Sequence, residues 1–421
     1  MFTPLQVGAK RLEHRVVMAP LTRNRGTDRF VPSPTAAMYY AERATPGSLL
    51  ITEAVPISPE TPWEYAPGIY TEEQEKAWRR VADAVHNRGG FISMQLWHVG
   101  RTCHGSWKNN EFLKSLGRPL PNVSASAVAV PRGTTPEYPS SAQVPFDTPR
   151  ELTAHEIKTR LVEDYRRAAQ AAKRAGMDFC ELHAAHGYLL MQFLCDSSNK
   201  RTDEFGGPIE NRMKPLHLVL QALIDVFGAD RVGVRISPTY EGAPAFYGCY
   251  DSKQPDIYRT VIASLDQYKL AYLLLTEPRW MGGKEDPRSD RGFAMPVRNA
   301  WVKEVYRGVV IGAGGFTPAA AKEAIDKGVY DAIAFGRWFI SNPDLVDRLR
   351  TGAELNVYDR SLFYVRDPVK GYVDWPMLDN SKKLAIAKKL GLPDIPLAAP
   401  PTMKQADVLG TTLASNQASK M

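Results

Sequence analysis

Short runs of apolar residues recur along the chain and are separated by stretches rich in turn-forming and charged residues. Each run is apolar almost throughout and does not alternate with polar residues, which is typical of strands buried on both faces. The runs that fit this pattern are Val16–Ala19, Leu49–Thr52, Phe91–Leu96, Phe179–Leu182, Val232–Ile236, Tyr272–Thr276, Val309–Ile311 and Ala332–Phe335. The pattern therefore predicts eight short strands in a sheet that is covered on both sides.

Segments with a helical period lie between these runs. Glu72–Arg88 carries apolar residues at helical spacing and ends at two glycines. Ala154–Ala175 follows Thr153, and Glu156 stands three residues after that threonine, as in a capping box. The remaining predicted helices are Thr35–Ala44, Ile209–Phe227, Asp256–Tyr268, Val297–Tyr306, Pro318–Lys327 and Pro343–Arg350.

The regular alternation of strands and helices predicts an α/β fold with a parallel sheet and the helices outside it. Eight units indicate closure into a (β/α)8 TIM barrel that forms a single domain. A doubly wound open sheet is the alternative. However, Pro20-Leu21-Thr22-Arg23 follows the first predicted strand, where dinucleotide-binding sheets carry a GxGxxG turn.

The connection after the third strand, residues 97 to 151, is too long for an ordinary loop and is rich in Pro, Ser and Gly. We expect an insertion at about 102–150 that covers one mouth of the barrel, with a hairpin around Ala127–Pro131. The barrel domain is predicted to span residues 1–380. Residues 381–421 are expected to form a C-terminal extension that is flexible toward its end.

Composition excludes several classes of protein. No run of apolar residues approaches the roughly 20 that a membrane span needs. The net charge of +7 is small for 421 residues, and the basic residues alternate with acidic ones, so we expect neither a membrane nor a nucleic-acid partner. The four cysteines are scattered without a CxxC pair, which argues against a disulfide framework or a zinc knuckle and fits a reducing compartment.

The two ends of the chain bear on its location. No secretory leader follows Met1. The last residues, Ser419-Lys420-Met421, are a close variant of the Ser-Lys-Leu address that a peroxisomal import receptor binds. The sequence therefore leaves a peroxisome-type organelle and the cytoplasm both open.

Polar residues and glycines cluster where the predicted strands end, which is where TIM barrels build their sites. The last two strands end in Gly314-Gly315 and Gly336-Arg337. Glycines at a strand end are often only turn residues. Here they lie at the usual phosphate position of the fold, and Arg337 adds a charged donor, so we predict a phosphate site.

Four polar residues on the third, fourth and fifth strands or just after them carry the candidate chemistry. Arg235 in an apolar strand pairs either with a structural partner such as Glu181 or with an anionic ring or carbonyl of a ligand. Gln95 is either an internally satisfied barrel residue or an amide that pairs with a ring edge. His183 and His186 either bind a metal or donate hydrogen bonds to one carbonyl oxygen.

Tyr188 follows the second of these histidines by two residues, and a tyrosine hydroxyl can act as a general acid toward a strongly basic carbanion. A metal site is disfavoured because the spacing is not HExxH and no third ligand is evident. We therefore favour a carbonyl-binding pair of histidines beside a proton donor, and we predict no metal.

With these residues in place, the chain resembles the Old Yellow Enzyme family of FMN-dependent ene-reductases over about residues 2–380. Its 12-oxophytodienoate reductase branch is the most similar in look. The motifs that carry the resemblance are Met18-Ala19-Pro20-Leu21-Thr22-Arg23, Gln95-Leu96-Trp97-His98-Val99-Gly100-Arg101, His183-Ala184-Ala185-His186-Gly187-Tyr188-Leu189, residues 199–212, residues 335–345 and residues 367–372. A peroxisome-type tail is also similar to one member type of that branch.

The resemblance implies a flavin site. FMN would be bound tightly without a covalent bond, with the Thr22 hydroxyl on flavin O4 and Arg235 facing N1 and O2. The other implied cofactor contacts are Ala19, Pro20, Leu21, Ala54, Gln95, Gly314, Gly315, Gly336 and Arg337.

The resemblance also implies the reaction. NADPH, more than NADH, would reduce the flavin and leave, and an enone or quinone would then enter the same space. His183 and His186 would bind the substrate carbonyl, and Tyr188 would protonate the α-carbon, with Trp63, Trp97 and Tyr364 lining the pocket. The protein would be a monomer or a homodimer. The rival hypotheses are a flavin- or ligand-binding barrel without turnover and a metal-dependent hydrolase or lyase.

The chain also departs from the family pattern. Phe205 stands where tyrosine is usual, and Gly315 replaces an Asn seen in some members, which leaves backbone N–H groups as phosphate donors. The segment Tyr240–Tyr250 and the insert near Thr102–Pro145 match poorly. Because both can border the pocket, the substrate size is left open.

Overall fold

The computed structural model describes residues 1–240, 246–278, 297–393 and 395–397, together with the backbone of Thr402–Met403. Its centre is a closed barrel of parallel strands, in which each strand pairs with the next along the chain and the last pairs with the first. The strands are β1 Val16–Met18, β2 Leu49–Pro56, β3 Phe91–Trp97, β4 Phe179–His183, β5 Val232–Ile236, β6 Tyr272–Thr276, β7 Val310–Ala313 and β8 Ala332–Phe335. The predicted (β/α)8 barrel is confirmed.

The strands are largely apolar because both faces are buried. In β6, Leu274 packs into the barrel interior with residues such as Ile51 and Ile311. Its neighbours Leu273 and Leu275 pack outward against the helices. Each strand therefore contributes to two apolar layers, which removes the alternation expected of a half-exposed strand.

Helices surround the barrel, and most begin and end close to their predicted positions. The predicted capping box at Thr153 is present, because its side chain accepts from Glu156 N while the Glu156 side chain accepts from Thr153 N. The longer helices are α1 Ala36–Ala41, α2 Glu72–His86, α3 Val162–Arg174, α4 Lys214–Phe227, α5 Asp256–Leu265, α6 Pro318–Asp326, α7 Leu345–Thr351 and α8 Asn380–Lys389.

The helix predicted at Val297–Tyr306 is much shorter than expected, spanning only Val302–Val305. The backbone N–H of Arg298 donates to Glu277 Oε2 at 2.9 Å, and that of Asn299 donates to Glu277 Oε1 at 3.3 Å. Because these bonds tie the backbone to the residue that follows β6, residues 298 and 299 lie outside the helix.

The N-terminal end of the barrel is closed by a small hairpin. Leu5–Val7 pairs antiparallel with Lys10–Leu12, and the side chains of Val7 and Leu12 join the interior apolar cluster. This end is therefore filled by apolar side chains. The polar residues singled out in the sequence lie at the other end.

The insertion after β3 contains several small elements, as expected, but its hairpin lies elsewhere. The hairpin is formed by Thr134–Pro136 and Gln143–Pro145. The prediction of a hairpin around Ala127–Pro131 is wrong, because the carbonyl groups of Val128 and Ala129 accept from the Arg101 guanidinium and not from a partner strand. The other elements are Gly100–Thr102, Gly105–Asn109, Glu111–Ser115 and the parallel pair Val123–Ser124 and Arg150–Glu151.

Helix α8 packs against the barrel through a buried cation. Lys383 Nζ lies 3.0 Å from Glu42 Oε2 and donates to the carbonyl groups of Val373 and Trp375. Both charged side chains are fully buried. The predicted domain boundary near residue 380 falls at the start of this helix and stays a prediction.

Within the described ranges no helix has the length and apolarity to cross a membrane. The same residues contain no group of three His, Cys, Asp or Glu side chains that could hold a metal ion. The C-terminal Ser419-Lys420-Met421 lies outside the described residues.

Candidate active site

The loop after β1 forms one wall of the site at the C-terminal end of the barrel. The Ala19 backbone N–H donates to Phe335 O at 3.0 Å, which holds the start of this loop against β8. Pro20 is buried, whereas Leu21 and Thr22 are partly exposed toward the barrel mouth. Pro20 and Thr22, which the resemblance assigns to the flavin ring, and the cofactor contact Leu21 therefore lie on the mouth side of β1.

Arg23 and Arg25 hold this loop to the closing segment of the chain, residues 362–371. The Arg23 guanidinium donates to Phe363 O at 3.1 Å and to Gly371 O at 2.7 Å. Arg25 donates to Leu362 O and to Lys370 O. Arginine bonded mainly to backbone carbonyl groups fixes the path of the chain, so we name these contacts the arginine clamp.

Glu53, at the mouth side of β2, supports the same loop. Its Oε2 accepts from the Arg23 backbone N–H at 3.1 Å. Burial raises the pKa of Glu53 to about 7. The hydrogen bond from Arg23 N and the charges of Arg23 and Arg25 act in the opposite direction and lower this pKa, but by less. Ala54, the next residue, is buried beside Trp97 in an apolar patch near the mouth.

The ends of β7 and β8 form the predicted phosphate position. The two strands are neighbours, with Ala313 in register with Ala334. Gly314 and Gly315 have φ values of 102° and 68°, and a Cβ on Gly314 would lie 2.9 Å from the Glu277 carbonyl oxygen. Only glycine fits such a bend, which can turn successive N–H groups toward an anion.

The other two predicted phosphate residues, Gly336 and Arg337, directly follow β8. A Cβ on Gly336 would approach Leu21 Cδ2 to 3.1 Å, so the backbone after β8 passes close to the β1 loop. The Arg337 guanidinium donates to the Tyr358 hydroxyl at 3.2 Å. The structure therefore brings together all four predicted phosphate residues.

A buried polar group lies deeper in the barrel. Gln95 Nε2 donates to Glu181 Oε1 at 2.5 Å, and Arg235 Nε donates to Thr276 Oγ1 at 3.3 Å. Burial raises the pKa of Glu181 to about 7, against a lowering by the charge of Arg235. Burial lowers the pKa of Arg235 to about 10, partly offset by Glu181. Both of the roles considered for Arg235 are therefore compatible with its surroundings.

The donor set fits a flavin mononucleotide. The Gln95 side-chain oxygen, Oε1, is buried and has no hydrogen-bond partner among the described residues. An acceptor without a donor is costly inside a protein unless a ligand supplies one. A flavin ring offers an N–H and carbonyl oxygens for Gln95 and Arg235, and its phosphate suits the glycine bend. These residues are therefore suited to hold FMN.

His183 and His186 lie side by side after β4, with ring centroids 5.3 Å apart. Burial, followed by the charge of Arg235, lowers the pKa of both well below the usual value, so both rings are neutral. His183 Nδ1 accepts from Ala185 N at 3.3 Å, which assigns the proton of a neutral ring to Nε2. His183 can therefore donate from Nε2 to a ligand oxygen.

His186 is held by the neighbouring strands. Its backbone N–H donates to Ser237 Oγ at 2.8 Å, and its Nε2 lies 3.0 Å from Thr276 Oγ1. Its φ of 56° is unusual for a residue other than glycine. Strained backbone of this kind collects at functional sites, where the surrounding structure holds it in place.

Tyr188 lies beside these rings among aromatic residues. Its ring is 5.0 Å from that of His183, 4.8 Å from that of Trp97 and 6.2 Å from that of Trp63. Its ring lies 5.7 Å from that of Tyr247, and the two hydroxyl groups are close enough for each to shift the pKa of the other. Burial raises the pKa of Tyr188 well above its ordinary value, so the group is a fully protonated acid.

Tyr247 is a site residue that the sequence did not reveal. It packs against Trp63 and Phe146, and burial raises its pKa to about 12. Arg101 positions it, donating to Tyr247 O at 2.9 Å from a guanidinium that also holds Val128. No local sequence pattern marks Tyr247 as a site residue, because the bond that positions it joins Arg101 and Tyr247, which are 146 residues apart.

Tyr364 approaches the site from the closing segment. Its side chain is 49% exposed, yet it is close enough to Tyr188 and Tyr247 to raise the pKa of both hydroxyls. The structure therefore places Trp63, Trp97 and Tyr364, the three predicted pocket residues, around Tyr188. It brings together a neutral imidazole donor and a protonated phenol.

Comparisons with known proteins identify the family. The family model described as NADH:flavin oxidoreductase / NADH oxidase matches residues 1–356. The chain is 41% identical over 390 residues to 12-oxophytodienoate reductase 7 of Oryza sativa subsp. japonica, which covers 91% of this chain and 95% of that protein.

Solved structures give the same result. The structure of morphinone reductase in complex with tetrahydroNAD matches with a TM-score of 0.77 and 40% identity, covering 90% of this chain and 98% of that one. The Old Yellow Enzyme homologue of Zymomonas mobilis matches with a TM-score of 0.80 and 36% identity, covering 90% and 99%. The chain therefore belongs to the Old Yellow Enzyme family and is a flavin oxidoreductase.

Proposed function

We propose that this protein uses FMN to reduce the activated C=C bond of α,β-unsaturated carbonyl compounds, namely enones and quinones, including oxylipins that carry an enone. The observation that carries the proposal is the position of Tyr188, a protonated hydroxyl whose ring lies 5.0 Å from that of His183. The His183 imidazole can hold a carbonyl oxygen while the Tyr188 hydroxyl reaches the α-carbon. When bound, FMN supplies hydride transfer from a nicotinamide to the β-carbon.

The histidines bind and polarise the substrate. His183 Nε2–H donates to the carbonyl oxygen, and His186 supplies a second hydrogen bond. Both rings are neutral, since burial and Arg235 lower the pKa of each well below its usual value. A neutral donor stabilises the negative charge that develops on the oxygen without giving up its own proton.

Tyr188 then delivers the proton. Its high pKa keeps the hydroxyl protonated across the working range of pH, and the α-carbanion of a reduced enone is basic enough to take that proton. Trp97 and Trp63, with ring centroids 5.6 Å apart, form an apolar wall that excludes water from the carbanion. Thr22, Pro20 and Leu21 are proposed to lie against the flavin ring, and Arg235 to face its pyrimidine edge.

We propose NADPH as the reductant. The nicotinamide would enter through the mouth that the substrate later uses, so the reaction is expected to be ping-pong. The clamp residues Arg23 and Arg25 are engaged with backbone carbonyl groups, so discrimination of the 2′-phosphate rests on other residues. Parallel titration with NADPH and NADH tests this choice.

The first test is spectroscopic. The purified protein should be yellow, should lose its visible absorbance on anaerobic addition of NADPH, and should recover it when cyclohexenone is added. A flavin that bleaches but is not reoxidised by enones or quinones would indicate a binding barrel without turnover. A colourless protein that takes up no FMN would remove the proposal and direct attention to metal analysis.

The histidine pair has a test of its own. A phenol binds such a site through its oxygen, so replacing both His183 and His186 by alanine should weaken phenol affinity at least tenfold, or about 1.4 kcal/mol. His217 provides the matched control, because it lies on α4 and pairs with Tyr268 at 2.9 Å, away from the barrel mouth. Unchanged phenol affinity in the double variant would refute the assignment.

A further inference from the structure

We propose that Glu181 is a positioning residue that fixes the Gln95 amide and offsets the charge of Arg235, and so limits how strongly the site favours reduced flavin. The proposal deepens the proposed function, since it rests on the placement of FMN against Gln95 and Arg235. Glu181 itself is not expected to touch the substrate.

The barrel register places Glu181 beside Gln95. The two residues are direct partners in the pairing of β4 with β3, so their side chains leave the sheet on the same face. The short contact between Gln95 Nε2 and Glu181 Oε1, at 2.5 Å, follows from this register. It also fixes the orientation of the amide, because the nitrogen is engaged and the oxygen is left as the acceptor.

The neighbour of Glu181 on the other side is Gly233 in β5. A Cβ at Gly233 would lie 2.3 Å from Tyr272 Cζ, so the ring of Tyr272 crosses β5 above the glycine. This path brings the Tyr272 hydroxyl to Ser93 at 2.9 Å and close enough to Glu181 to lower the pKa of the carboxyl. Strand β5 therefore leaves room for a layer of polar side chains around the Glu181 carboxylate, which Gln95, Ser93 and Tyr272 form.

A purely structural carboxylate would be expected to have both oxygens satisfied. Glu181 Oε2 is buried and lacks a hydrogen-bond partner among the described residues, as does Gln95 Oε1. Such an arrangement costs stability in the free protein. It is explained if Gln95 Oε1 receives its donor from the ligand and Glu181 serves to orient that amide and to balance Arg235.

The electrostatic consequence has a definite sign. Reduced flavin carries more negative charge than oxidised flavin, so the cation of Arg235 favours the reduced form. Glu181 offsets that cation, as the opposed influences of the two groups on each other's pKa indicate. Replacing the carboxylate by a neutral group of the same shape should therefore shift the equilibrium toward reduced flavin.

The experiment measures the flavin midpoint potential of the holoenzyme at pH 8 against a reference dye, without any enone. Glu181→Gln should raise the reduced-to-oxidised ratio at fixed dye poise at least tenfold, which is about 30 mV for a two-electron couple. FMN affinity, measured by fluorescence, should fall because a neutral amide oxygen is a weaker acceptor for Gln95 Nε2 than a carboxylate and fixes the Gln95 amide less firmly. Ser93→Ala is the matched control: it removes a hydroxyl from the same layer without changing its charge and should leave the ratio within about threefold.

A second variant keeps the test decisive if Glu181→Gln does not fold. Tyr272→Phe removes the hydroxyl that lowers the pKa of Glu181, so it should shift the ratio in the same direction by a smaller amount. A ratio within threefold of wild type in Glu181→Gln, or, if that variant does not fold, an unchanged ratio in Tyr272→Phe, would overturn the proposal and leave Glu181 a structural residue. Failure of enone turnover with the expected shift present would overturn only the proposed substrate, and wild-type protein without FMN would overturn both.

Discussion

Tyr188→Phe is the substitution that most directly separates the chemistry from the architecture. It removes one hydroxyl and keeps the ring, whose contacts with His183, Trp97 and Trp63 span centroid distances of 5.0, 4.8 and 6.2 Å. The interaction lost is that between the Tyr188 and Tyr247 hydroxyl groups, and its loss should cost no more than about 1 kcal/mol of stability. The fold and the flavin site should therefore remain.

The expected kinetic loss is much larger than the structural one. A positioned general acid typically contributes 10²- to 10⁴-fold, so protonation of the carbanion should slow by about 3–5 kcal/mol of barrier. Reduction of the flavin by NADPH does not use this proton and should change less than about threefold. In wild type the raised pKa keeps Tyr188 protonated, so its titration should produce no fall in reoxidation rate between pH 6 and 9.

Anaerobic stopped-flow spectroscopy measures the two half-reactions separately. Flavin bleaching by NADPH gives the first rate, and recovery of absorbance on mixing with cyclohexenone gives the second. Quinones, whose reduced oxygens can take protons from water, should be reduced by the variant almost normally. Equal slowing of both half-reactions, or an unchanged enone rate, would refute the role assigned to Tyr188.

Four further outcomes are expected. Tyr247→Phe should slow enone reoxidation by up to about tenfold, since it removes the hydroxyl next to that of Tyr188 but leaves the acid itself; a loss equal to that of Tyr188→Phe in stopped-flow would contradict this. Lys383→Met should lower the free energy of unfolding, measured in urea, by about 3 kcal/mol. This is near the lower end for a broken buried ion pair, because Glu42 remains paired with Arg43; a loss under about 1 kcal/mol would count against the prediction. Burial lowers the pKa of His98 to about 3 in the folded protein, so as the pH drops the His98 ring is protonated in the unfolded chain first. The free energy of unfolding should therefore fall between about pH 6.5 and pH 3, and His98→Gln should make that fall shallower in urea titrations. Gly187→Ala should destabilise by about 2 kcal/mol or more and weaken phenol binding, because φ is 77° and the new Cβ would lie 2.2 Å from Phe246 O; wild-type melting would contradict it.

The barrel could be predicted because its signal is local. A strand such as Tyr272–Thr276 is buried on both faces, so its apolar run and its flanking turn residues are visible in the sequence itself. The rim residues followed from the same reasoning, since parallel strands place their C-terminal ends together. His183, Tyr188 and Gly314 needed only the strand assignments to be placed at one mouth.

The remainder depends on contacts between distant parts of the chain. Glu277 pulls residues 298 and 299 out of the expected helix, and Arg101 binds the carbonyl groups that were expected to form a hairpin. Tyr247 reaches Tyr188 only because Arg101 and Gly187 shape its backbone. The bond from Gln95 to Glu181 required the register of β3 against β4, which no local pattern specifies.

The arginine clamp has a consequence for how the protein is made. Arg23, close to the start of the chain, is bonded to the carbonyl group of Gly371, 348 positions later. A ribosome releases the partner of Arg23 only after a further 348 residues have been added, so the wall that carries Thr22 cannot be fastened until the closing segment has been made. We therefore expect cofactor capture to follow synthesis of the closing segment. A chain cut short before residue 362 would lack every carbonyl partner in the closing segment and should emerge without flavin, although Tyr188, His183 and the glycine bend would all have been synthesised.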